Sequence, residues 1–300
     1  MGYSARYHAA SLTAVFLALA IGILIGSQVG DNVLNNTRQD LESSLTGDLD
    51  EARGQIDQLE TEAGWANEFG NGVLPPLTQN QIRGDRIGLI GFGSLPSEIT
   101  DSVERAIEPT GAELAAVGVI REPPNTEAIS EALPSGFTFQ GLSQNNEVLG
   151  RYGRITGRQL IEGGALIEAT KSELMSQSSG EFGDLDGLVI YRAEPGDLEP
   201  EQADQMEALE TGLIDGAETT RAAVVGVEEV GTDPSSVSFF DSNDMASVDN
   251  LDQPAGKVSL IYALAGAEGS FGVKDGADRL LPELLQPVPP KQRANKRKQG

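Results

Sequence analysis

The stretch RIGLIGFGSLPSEITDSVERAIEPTGAELAAVGVI, residues 86–120, decides the fold. Arg86–Phe92 is a short, continuously apolar run and reads as a buried strand. Ser97–Glu108 reads as a helix, with Ser97 as its candidate cap. Glu113–Ile120 is a second apolar run. Strand, helix, strand at this spacing is a βαβ unit, which requires parallel strands.

The same alternation continues downstream. Helical patterns are expected over residues 158–176 and 200–214, with Pro200 suited to a first turn. Strands are expected at Asp186–Ala193, Ala222–Val230 and Val258–Leu264. Residues 125–150 are less regular. The body, residues 84–286, is therefore expected to be an α/β domain with a mostly parallel sheet. A transmembrane β-barrel would need many alternating strands with aromatic girdles, and the short, continuously apolar strands here do not fit one.

Upstream, the sequence changes character twice. Ala9–Gly30 (AASLTAVFLALAIGILIGSQVG) carries no charge. As a helix it would extend roughly 33 Å, against a hydrocarbon core of about 30 Å. Arg6 precedes it and Asp31 follows. The positive-inside rule then keeps residues 1–8 in the cytoplasm and sends the body outside. A cleaved signal peptide is the rival reading, with Ala18-Leu19-Ala20 as a small-residue site, but the apolar run is longer than such peptides carry. Gly22-x-x-x-Gly26 offers a close-approach face to a second helix.

Residues 31–70 are polar with a narrow apolar seam. Leu34, Arg38, Leu41 and Leu45 lead into Leu49, Ala52, Ile56, Leu59 and Ala63 at steps of three and four, with one stutter. A coiled-coil stalk that joins copies of the chain is the expectation. A solitary amphipathic helix packed on the body is the alternative. Gly47 and Gly54 weaken either helix. Gly70-Asn71-Gly72 and Pro75-Pro76 are expected to end it. At the other end, residues 287–300 combine Pro287, Pro289 and Pro290 with Lys291, Arg293, Lys296, Arg297 and Lys298. Such a tail is expected to be disordered.

Composition narrows the chemistry. The formal charge is −25, and without the basic tail it falls to about −30. That field repels nucleic acid. There is no cysteine, so disulfides, thiolate metal sites and cysteine nucleophiles are excluded. The single histidine, His8, precedes the apolar run, which leaves the body without imidazole acid–base or triad chemistry. Met175, Met206 and Met245 are scattered. Gly91-Phe92-Gly93 sits where nucleotide folds hold phosphate, but Pro96 stands where G-x-G-x-x-G needs glycine, and a tight turn is the plainer role. Asp241, Asp244, Asp249 and Asp252 cluster like calcium ligands. The EF-hand positions hold Ala246 and Asp252 instead of Gly and Glu, so a solvated acidic loop is expected. No catalytic, cofactor-binding or metal-binding residue is assigned, and the chain does not read as an enzyme.

Two blocks carry a family resemblance. YHAASLTAVFLALAIGILIGS, residues 7–27, with the stalk after it, resembles the start of the mycobacterial copper transport protein B (MctB-like) family. SVDNLDQPAGKVSLIYALAGAEGSFG, residues 247–272, is similar to that family's closing block. The resemblance implies a channel-forming envelope protein of copper transport and homeostasis. It carries over no metal ligand: where the family block has histidines after the glycines, this chain has Phe271-Gly272-Val273-Lys274. Copper prefers Cys, Met and His, which the body nearly lacks. Scaffolding of envelope assembly, with an envelope protein as partner, and a carboxylate-based extracytoplasmic enzyme remain as alternatives.

Overall fold

The protein is described by a computed structural model covering residues 5–193 and 196–283, with the backbone alone for residues 5, 6 and 27–40. The basic tail and the side chains of Arg6, Asp31, Leu34 and Arg38 lie outside the described residues. The chain divides into two units between Ala66 and Asn67.

The first unit is one helix, the major part of α1 (Ala5–Thr78). Tyr7–Gly26 has a mean hydropathy of 2.4 and is long and apolar enough to cross a membrane. Beyond it, Leu41, Leu45, Leu49, Ile56 and Leu59 are all exposed.

The second unit begins with the last turns of α1. The glycines and prolines do not stop this helix, which runs on to Thr78. Packing overrides their local preference. Gly70 seats on Pro254, so that a Cβ there would come within 2.6 Å of the proline Cβ. Leu74 is buried with Val258 and Tyr262. Pro75 and Pro76 lack the N–H groups that would pair with exposed turns above them, while the Pro75 carbonyl still accepts from Gln79 at 2.9 Å. Asn80, at φ 64°, turns the chain away.

The sheet has seven strands in the order β3-β2-β1-β4-β5-β6-β7. These are β1 (Arg86–Phe92), β2 (Glu113–Ile120), β3 (Met175–Gly180), β4 (Gly187–Arg192), β5 (Ala223–Val227), β6 (Ala246–Val248) and β7 (Ser270–Phe271). All neighbours are parallel except β2 and β3. Alternation along β1 feeds two cores. Ile90 and Phe92 face α4 (Asn146–Glu162), α5 (Ala165–Leu174) and α6 (Pro200–Glu218), with Leu149, Tyr152, Leu166 and Leu209. Ile87 and Leu89 face α2 (Ser97–Ile107) and α8 (Pro254–Leu264), with Ile99, Val103, Leu260 and Ile261. The result is an α/β/α sandwich, with short helices α3 (Thr126–Glu131) and α7 (Val237–Ser242) at its margins.

Several expectations need correcting. Val258–Leu264 is helix, not strand: from Gly256 to Leu264 every residue of α8 is buried, so no polar face marks the helical period. The helix expected over 158–176 is two helices that break at Gly163-Gly164, followed by the polar edge strand β3. Residues 125–150 contain α3 and the start of α4, whose cap Asn145 accepts from Glu147 N at 2.9 Å and from Val148 N at 3.3 Å. Ser97 makes no capping bond; Pro96 holds the cap position. Helix α6 runs four residues past 214, and the strands expected at 186–193 and 222–230 are shorter, as β4 and β5.

Candidate functional site at the carboxyl rim of the sheet

In open α/β sheets, ligands bind beyond the carboxyl ends of the strands, where the strand order reverses. Here the reversal lies between β1 and β4. The turn after β1 is closed on itself. Gly93, at φ 75°, donates its N–H to the Ile120 carbonyl at 3.2 Å, and Ser94 N–H goes to the Phe92 carbonyl at 2.9 Å. Phosphate would need such donors free. Instead a carboxylate of the chain occupies the crevice. Glu122, just past β2, accepts from Gly196 N at 2.7 Å through Oε1. Its Oε2 stands 2.5 Å from where a Cβ on Gly93 would project, and the φ of 75° at Gly93 favours glycine there.

Three further acids are engaged by the chain itself, two of them, Glu228 and Asp249, directly after strands and the third, Glu210, against a strand-end arginine. Arg192, ending β4, pairs with buried Glu210 of α6 at 2.9 Å and stacks 4.2 Å from the centroid of the Phe239 ring. Burial pushes the Glu210 carboxyl from 4.5 up to about 7, outweighing the pull of Arg192; Glu122 and Glu207 push the same way. Glu228, after β5, accepts from Ser235 Oγ at 2.7 Å, Ser236 N at 2.6 Å and Lys274 Nζ at 2.7 Å. Asp249, after β6, accepts from the backbone N–H groups of Val273 and Lys274, both at 2.8 Å.

The acidic cluster is therefore not a solvated loop throughout. Asp249 is 1% exposed and anchors the chain after β7. Asp252 accepts from Val230 N at 2.9 Å. Asp241 and Asp244 are exposed. Among the described residues no three His, Asp or Glu side chains are placed to hold a metal ion. Beside Asp252, burial lowers the Lys257 ammonium pKa, and Lys257 donates to the Asp252 carbonyl at 2.9 Å. Burial, then Asp252 and Glu98, raise the pKa of Glu229.

The thioethers are no better placed to meet copper. Met175, Met206 and Met245 are 3–4% exposed and belong to the apolar core between the sheet and α4–α6. Away from the rim, a groove of about 900 Å³ runs beside the α4–α6 contact, lined by Glu147, Arg151, Arg154, Glu207 and Asp215 among others. An ion pair joins Arg154 to Asp215 across it.

The rim pairs are not visible in the sequence because their members lie far apart: Glu228 and Lys274 are separated by 46 residues. One signal was present: Glu122, Arg192, Glu228 and Asp249 each stand at or within two residues of a strand's end.

The family model described as "Copper transport outer membrane protein, MctB" matches residues 3–136 and 141–282. The chain belongs to this family. No curated protein matches it.

Proposed function

We propose that this chain is a single-pass envelope protein, its body outside the membrane, that serves copper transport or homeostasis through contacts with an envelope partner and not by ligating copper. Family membership supports the copper process. The observation that carries the second half is the ligand inventory. The body has no cysteine and no histidine, and its three methionines are buried in the core. Copper sites favour thiolate, thioether and imidazole. The carboxylates at the rim are held by backbone N–H groups, Arg192 and Lys274, which leaves the surface to act by shape and charge.

Anchoring is supported by Tyr7–Gly26, and orientation by Arg6 directly before the span, the next Lys or Arg beyond it being Arg38. A second reading, scaffolding of envelope assembly with no metal role, is favoured by the same internally satisfied rim. It predicts altered wall integrity with unchanged copper tolerance when the gene is deleted.

Calorimetric titration of the detergent-solubilised full chain with Cu(I), Cu(II) and Ca(II) tests the ligand claim. The expected result is no saturable copper signal beyond that of calcium. A saturable copper-selective isotherm would overturn it.

A further inference from the structure

The first unit of the chain exposes one apolar face. Leu41, Leu45, Leu49, Ile56 and Leu59 are 53–64% exposed, although each is large and apolar. They are not scattered as lone surface leucines are. From Leu49 onward the face advances by three and four: Leu49, Ala52, Ile56, Leu59, Ala63, Ala66. That is the a/d seam of three consecutive heptads, with Leu49, Ile56 and Ala63 at a and Ala52, Leu59 and Ala66 at d.

The flanking positions fit a partner of the same sequence. Asp48 falls at g and Arg53 at the following e, so two parallel copies in register bring Asp48 of each to Arg53 of the other. In the single helix Arg53 meets Asp50, at 3.4 Å with both side chains exposed, a weak contact that a cross-helix pair can replace. β-branched Ile56 at a beside Leu59 at d favours two strands. The two helix-weakening residues, Gly47 and Gly54, both fall at the outward f position, with no atom within 4 Å of a Cβ built there.

We propose that residues 41–66 of α1 pair with the same residues of a second copy as a parallel, in-register two-stranded coil. The parallel sense rests on the anchored reading above: two copies held by the same N-terminal span in one membrane leave it in the same direction.

The natural chain has no cysteine, so introduced thiols report alone. Four single variants of the full chain, in cell membranes, are exposed to a mild thiol oxidant. Ala52→Cys and Leu59→Cys lie at d; Asp57→Cys and Gln58→Cys lie at the outward b and c positions. The expected result is a disulfide-linked species of twice the chain mass for the two d variants and its loss for the two outward ones. Equal cross-linking at all four positions, none at any, or an adduct with a different protein would overturn the coil. Preferential cross-linking of Leu49→Cys to a co-expressed Ala66→Cys chain, over either with itself, would show antiparallel pairing and overturn the proposal. Labelling of the two outward variants on intact cells, before any oxidant, with a membrane-impermeant maleimide separates the two readings. Labelled outward variants with no cross-linking of the d variants sink the coil alone; cross-linked d variants with unlabelled outward variants sink the topology alone.

Discussion

Lys274 Nζ lies 2.7 Å from Glu228 Oε1, and the same ammonium donates to the Thr232 carbonyl at 2.7 Å. The Glu228 side chain is 1% exposed, so this pair locks the chain after β7 onto the end of β5 inside the protein. Removing one member of a buried pair leaves the other charged without compensation.

Lys274→Met is therefore expected to destabilise the body by about 3 kcal/mol or more. Lys274→Arg, which keeps the charge, should recover part of that loss. Chemical denaturation of both variants beside the natural chain checks this. A change below about 0.5 kcal/mol, the size of an ordinary surface substitution, would mean that water reaches Glu228.

Glu210 gives the body a pH dependence of defined sign. Its carboxyl stands near 7 when folded, against 4.5 when exposed on unfolding. Between those values the folded state holds the extra proton, so this group's contribution to stability rises as pH falls from about 7 towards 4.5 and levels off below. Melting temperatures measured across that window should show the rise. Glu210→Gln, which cannot titrate, should flatten it. An unchanged slope in the variant would assign the effect elsewhere.

Glycines on two helices should respond in opposite directions. At Gly157 a Cβ would run into the Leu213 carbonyl, because the α4 and α6 backbones touch. Gly157→Ala is expected to cost about 1–3 kcal/mol from overpacking. Gly54 has no atom within 4 Å of a Cβ. Gly54→Ala should strengthen the α1 helix by about 1 kcal/mol. Thermal unfolding followed by circular dichroism reads both; the same sign for the two would contradict the packing described.

How much of this was legible follows from where each signal resides. Strands β1 and β2 were read to the residue, because a continuous apolar run bounded by glycine or a polar residue is itself the signal of a strand covered on both faces. Helix α8 carries the same signal for a different reason, being covered on all sides, so its run predicts a strand where a helix stands. Strand β3, MSQSSG, has five exposed residues and no apolar pattern; its pairing with β2 is a property of the neighbour. The α4–α6 contact had a legible trace, since Gly150, Gly153 and Gly157 recur at helical spacing, as do Gly212 and Gly216. Those glycines suggest weakness when read one at a time and close approach when read together. The rim residues left only their placement at strand ends as a trace; which of them pair follows from topology.

On the proposed reading, a chain that ligates no copper serves a copper process. The most direct test is cell-associated copper in a deletion strain complemented with the natural chain or with a chain bearing His8→Ala, Met175→Leu, Met206→Leu and Met245→Leu, at matched protein levels. These changes remove every imidazole and every internal thioether, and Leu conserves the core volume of Met. Deletion is expected to alter copper content, and both chains are expected to restore it equally. Restoration by the natural chain alone would return copper ligation to this protein.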